Sequence, residues 1–220
     1  MESPFIPHVM FMLGPVPISY AVVVTWGIML GLVVVAWLSC RHFSTFPEGW
    51  QAAIELLIVT IDEQIGEVIQ GNSKRFLPLI GSLFIFIAIA NLIDLLPGLS
   101  APTSVLETPA ALAMIAYFSV HYAGISSQGL WGYLKSYAKP SVIMLPFTLL
   151  SQITRTFSMM VRLFGNMMSG QFLISILLVF VGFLVPVPLM ALHVLISLLQ
   201  AYIFAILATV FIAAAMADTS

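Results

Sequence analysis

Cysteine is nearly absent. Cys40 is the only one in 220 residues, which excludes an intrachain disulfide and any zinc or iron–sulfur centre built on this chain's own cysteines. Charge is scarce as well: 7% of residues are charged, too few to clothe a soluble domain. Seven Lys and Arg against nine Asp and Glu give a formal charge of −2. No basic surface exists to neutralise a phosphate backbone, and nucleic acid is excluded as a partner. No Lys or Arg precedes Arg41, so the basic n-region of a secretory signal is missing and the first apolar run is expected to be retained. The patterns HExxH, GxSxG and GxxxxGKS/T do not occur, leaving protease, hydrolase and nucleotide-binding readings without a motif. What is abundant is apolar: 61% hydrophobic residues and a mean hydropathy of +1.11 predict an all-α integral membrane protein.

Residues 18–38 are uncharged and follow Pro17; they match a ~30 Å hydrocarbon core at 1.5 Å per residue and predict a first transmembrane helix over 18–40. Within it, Gly27 and Gly31 form a GxxxG pair, read as close helix packing. Residues 47–71 differ. Ile54, Leu57, Ile58, Ile61, Ile65, Val68 and Ile69 recur at helical spacing while Glu48, Glu55, Asp62, Glu63 and Glu67 fill other positions, which predicts an amphipathic interfacial helix. Its acidic face does not suit anionic lipid, so packing against protein must hold it down. Further spans are expected at 75–97, ended by Pro97-Gly98, and at 108–126. Two long apolar blocks, 141–184 and 189–217, close the chain. The first would extend about 66 Å as one helix, twice the hydrocarbon thickness, so it must break or tilt strongly. The expected architecture is five membrane-embedded helices plus one interfacial helix in a single membrane domain, the last two long and strongly tilted.

Arg41, Lys74, Arg75, Lys135 and Lys139 fall in loops on one side of this arrangement, and cytoplasmic loops retain basic residues. The N-terminus is therefore expected outside and the C-terminus in the cytoplasm.

Two arginines remain, inside the membrane. At the centre of a span a guanidinium costs roughly 2.5 to 3.5 kcal/mol on insertion scales, so Arg162, midway along the long block, needs a partner or a task. Snorkelling to the interface suits Arg155 better, since it lies nearer the cytoplasmic start. Thr148, Ser151, Arg155, Ser158, Arg162, Asn166 and Ser169 step by three or four and form one polar seam. His193, Ser197 and Gln200 form a shorter one on the final helix. The two seams can face each other or a third body. Asn91 and Asp94, at i and i+3, and Glu107 line the outward side, although Asp94 also suits a solvated helix end.

RLFGNM at 162–167 with Ser169-Gly170 behind it, LLQAYIF at 198–204, NLIDLLPG at 91–98 and AIELLIVTID at 53–62 resemble, in the right order and over nearly the whole chain, the blocks of subunit a of F-type ATP synthases. The resemblance implies a non-catalytic stator whose last two helices wrap a ring of c subunits between two offset aqueous half-channels. It implies that Arg162 is the essential arginine facing each passing ring carboxylate, with Gln200 beside it on the last helix. Asn166 and His193 then match polar positions of the outer half-channel. The implied partners are the c-ring, the subunit b stalk, the remaining Fo and F1 subunits and membrane lipid, in a bacterial inner membrane. No tightly bound cofactor is implied; the cargo is H+ or Na+.

Two departures stand out. Gln171 occupies a position where many proton-conducting members have Glu or His, so either Asp94, Glu107 and water relay the proton, or the ion is sodium. Thr156 follows Arg155 where a proline is usual, which puts the local helix start in question. The competing reading is a self-contained ion-coupled membrane transporter or channel, a class that usually shows paired internal repeats; none is visible here.

Overall fold

The computed structural model describes residues 9–13, 16–41, 49–69, 73–95, 99–137, 145–182 and 186–217. Helices dominate because a backbone in lipid must satisfy its own polar groups. Their order is α1 (Tyr20–Arg41), α2 (Trp50–Val68), α3 (Leu77–Leu92), α4 (Glu107–Tyr137), α5 (Leu145–Val181) and α6 (Pro186–Ala217), with 3-10 turns at Ser73–Arg75, Ile93–Leu95 and Pro102–Ser104. Among the described residues, α1, α3, α4, α5 and α6 are the helices long and apolar enough to cross a membrane. The protein is an all-helical integral membrane protein apart from one short hairpin.

That hairpin is the first departure from expectation. β1 (Val9–Leu13) pairs antiparallel with β2 (Val16–Ser19), so the residues expected to open the first helix close a strand, and α1 starts at Tyr20. The second is α4, expected over 108–126. It runs on to Tyr137 because no proline interrupts the polar stretch, and it kinks at Gly129, whose φ of 72° and ψ of 161° belong to a region essentially reserved for glycine. The third is α6, expected over 189–217, which starts at Pro186 and takes in residues 186–188. Pro186 and Pro188 fall in its first turn, where a missing N–H costs no intrahelical bond. The 96–98 stop signal after α3 and residues 138–144 lie outside the described residues.

α5 is a single helix of 37 residues, about 55 Å long at 1.5 Å per residue. Of the two expectations for this block, breakage is ruled out.

Core packing is built on small residues, as expected where helices approach without a hydrophobic drive between them. Ala88 of α3, Ala116 of α4 and Ala201 and Ala208 of α6 are buried with Ile87, Met159, Leu163 and Phe204. α2 is held as expected, by protein: Ile61, Ile65 and Ile69 pack with Phe76, Ile80, Ala205 and Ile212, and Tyr202 donates a 2.7 Å hydrogen bond to Gln64 Oε1. Leu57 and Ile58 of its apolar stripe stay exposed. Among the described residues nothing lies within 4 Å of a Cβ built on Gly27 or Gly31, so the GxxxG pair packs against none of them.

Contacts fix which helix ends lie together. Ser19 donates to Glu107 Oε2 at 2.7 Å and Thr103 donates to Asn91 Oδ1 at 2.7 Å, which gathers the start of α1, the end of α3 and the start of α4. Gln171 of α5 and His193 of α6 join this group through Asp94. The opposite end carries Arg41 and Arg75, at the end of α1 and ahead of α3. It also holds the end of α6, where Gln128 Nε2 donates to the Ala215 carbonyl at 3.0 Å. The five spanning helices thus run alternately between the end with Asp94 and Glu107, here the acidic end, and the end with Arg41 and Arg75, here the basic end.

Candidate functional site

Asp94 sits in the 3-10 turn that ends the third span. Its Oδ1 accepts a hydrogen bond from Gln171 Nε2 and a longer one, 3.4 Å, from the Ala101 N–H. His193 Nε2 lies 3.6 Å from Oδ2, too far for a direct bond, and is buried without a hydrogen-bond partner. These groups open on a cavity of about 290 Å³ lined also by Asn91, Ser100, Ser175 and Ser197. Its size and polarity suit several waters. A water bridging His193 and Asp94 would complete a chain of exchangeable protons.

Asn91 is 2% exposed. Its Nδ2 donates to the Ser197 carbonyl at 3.1 Å and its Oδ1 accepts from Thr103, so it clamps α3 to α6 and shapes the cavity wall. Thr103 was not singled out in the sequence, and nothing local marks it. Glu107 is paired with Ser19 and does not line the Asp94 cavity; the structure does not bring these two carboxylates together.

The seams do not face each other. Ser197 and Gln200 on α6 are buried, turned toward the chain's own interior. On α5, Ser151, Arg155, Ser158, Arg162 and Ser169 are exposed and Asn166 is half-buried. The register follows from three contacts: Arg155 over the Phe211 ring, Ser197 Oγ donating to Met167 Sδ at 3.5 Å, and the His193 ring against Gly170. Interpolated between them, Gln200 lies level with residues 164–166, within one turn of Arg162 but on a different face. Among the described residues no hydrogen bond or ion pair reaches Arg162.

Toward the basic end lie two more hollows. One, of about 290 Å³, is lined by Thr154, Arg155, Ser158, Arg162 and Phe211. The other, of about 170 Å³, is lined by Tyr117, Tyr133, Thr148, Ser151, Gln152 and Arg155 among others. Phe211 and the two tyrosines were not singled out in the sequence, because an aromatic residue on an apolar helix carries no mark of a site. Arg162 therefore lines the nearer of two arginine-lined hollows, with the acidic cavity toward the other end of α5.

Comparison with known proteins gives a consistent picture. Residues 22–213 match the family described as ATP synthase A chain. ATP synthase subunit a 2 of Bradyrhizobium sp. is 51% identical over 219 residues, which is 100% of this chain and 98% of that protein. ATP synthase subunit a of Albidiferax ferrireducens is 47% identical, covering 92% and 88%, and subunit a 1 of Hahella chejuensis is 44% identical, covering 94% and 88%.

Proposed function

The chain belongs to the ATP synthase A chain family, and on that footing we propose that it is the stator against which a ring of c subunits turns. As a subunit of an ATP synthase it is part of a multi-subunit membrane complex. In the proposed arrangement the exposed polar seam of α5 faces the ring, and ions reach it by two separate aqueous routes.

The observation that carries this reading is Arg162: exposed, unpaired among the described residues, midway along a helix otherwise suited to lipid. A guanidinium held facing hydrocarbon would be too costly to keep, so a partner's carboxylate is the natural complement. Its charge favours the ionised form of that carboxylate. Each passing ring site releases its ion there, and direct leakage between the routes is blocked. Gln200, within one turn of Arg162 along the helix axis, stands behind this part of the seam in the chain's own interior, and Asn166 lies one turn along the seam.

The Asp94 cavity serves as the outer route, with the acidic end outside and the basic end, carrying Arg41 and Arg75, in the cytoplasm. Gln171 cannot titrate, yet it hydrogen-bonds a carboxylate whose neighbour is His193. A relay is therefore available one bond away from the position where the sequence lacked it. Asp94 and His193 pass a proton through water, or Asp94 attracts a sodium ion. Glu107 stands apart at the acidic rim. The length of α5, about 55 Å against a ~30 Å core, is accommodated by tilt, which lets one helix follow the curve of a ring.

The transporter alternative predicts that the Arg162 face meets this same chain. Cysteine cross-linking decides between them: in a Cys40→Ser background, cysteines at positions 158 and 166 should cross-link to a ring helix in assembled complex. Cross-links confined to this chain's own helices would defeat the stator reading.

A further inference from the structure

Arg155 lines both hollows at the basic end. Its guanidinium carbon lies 5.3 Å from the centre of the Phe211 ring, close enough for a cation–π contact that holds the charge in place. Met159 and Phe211 are the other shared walls, so the boundary between the Arg162 hollow and the inner one is apolar except for this one cation.

The surroundings are one-sided. From α4 the titratable groups are Tyr117 and Tyr133, with the His121 ring tilted against Tyr117 at 4.2 Å between ring centroids. From α5 they are Arg155 and Arg162, and α6 presents Leu207, Phe211, Ala214 and Ala215. No carboxylate lines either hollow among the described residues. The acidic cavity at the other end has Asp94 in its wall. A cation thus meets opposite electrostatics on the two routes.

We infer that Arg155 is a fixed-charge positioning residue that makes the basic-end route favour release of the transported cation over loading. This rests on the stator reading, because the charge acts on a ring carboxylate as it passes. A positive charge nearby favours the ionised carboxylate, whether the departing cation is a proton or sodium. The released cation passes to water in the hollow. The reverse step, loading from this side during ATP-driven pumping, needs a higher ion concentration than it would without Arg155.

The test uses the complete complex in vesicles, with ATP-driven pumping followed while the basic side is titrated with protons in one series and with NaCl in another. Arg155→Gln should lower the half-saturating concentration of the transported ion by about three- to tenfold, the scale of one unit charge about 10 Å away through partly hydrated protein. Arg155→Lys should stay near the wild-type value. Gln152→Arg, which adds a cation to the same inner hollow, should raise it.

Unchanged half-saturation in both Arg155→Gln and Gln152→Arg would overturn the inference. So would an equal fall in Arg155→Lys, which would make the role one of shape. If Arg155→Gln does not assemble, Gln152→Arg decides alone. Failure of the stator reading looks different: Arg162→Ala would then pump normally, whereas an inert Arg162→Ala beside unshifted Arg155→Gln and Gln152→Arg defeats only this inference.

Discussion

Gly170 lies directly against the imidazole of His193: a Cβ at position 170 would overlap the ring itself. The small residue on α5 is what allows the ring on α6 to stand beside Asp94. Gly170→Ala should therefore displace His193 and reduce ion-driven ATP synthesis in vesicles, while Ser169→Ala, on the exposed face, should not disturb the ring. Full synthesis by Gly170→Ala would show that the position of His193 is immaterial.

Arg162→Ala should lower ion-driven ATP synthesis by at least about 100-fold, which corresponds to roughly 2.7 kcal/mol of lost electrostatic preference. Arg155→Ala should impair it only in part. The two lie about 10 Å apart along α5, and only Arg162 is within one turn of the level of Gln200. Lysine should substitute poorly at 162, because an ammonium lacks the planar fork and can lose its proton when desolvated. Equal loss from both alanine variants would overturn this ranking.

Thr103→Val keeps the shape of the side chain and removes the donor to Asn91 Oδ1, leaving a buried acceptor unsatisfied. A loss of about 1–3 kcal/mol is expected, read as a lower unfolding temperature of the purified subunit or complex in detergent. No change would mean that water replaces the hydroxyl.

Gly129→Ala forces a Cβ into a conformation that costs about 1–3 kcal/mol outside glycine. The segment after the kink brings Tyr133 back onto Gly124, where an added Cβ would again strike the ring. Gly129→Ala should expose the Tyr133 region to faster hydrogen exchange. Unaltered exchange there would show that the kink is held by other contacts.

Much of this arrangement is legible in the sequence because charge inside a membrane is so costly. Arg155, Arg162 and Asp94 could be picked out singly, and the three- and four-residue spacing of the α5 seam defined one face without any structure. The excess length of the 141–184 block likewise carried information, since 1.5 Å per residue leaves few options. Other features depend on tertiary neighbours. Whether Ser197 and Gln200 point inward or outward turns on which side of α6 meets α3 and α5, and periodicity is silent on that. The Thr103–Asn91 bond joins a loop to a helix by packing alone. The Gly129 kink was hidden because glycine in a polar stretch suggests a loop as readily as a bend. The start of α6 was misplaced because proline reads as a breaker, although in a first turn it breaks nothing.

α5 runs without interruption from the inner hollow, past Arg162, to Gln171 at the Asp94 cavity. Each residue in a helix contributes about 100° of rotation as well as 1.5 Å of rise. Spacing along α5 is therefore also an angular setting, and adding or deleting one residue between Arg155 and Gln171 would swing the arginine face around relative to the cavity at the other end. Loops at the helix ends can absorb changes in length, but this segment cannot. Its sixteen-residue step from 155 to 171 acts as a phase lock between the arginine-lined hollows and the Asp94 cavity.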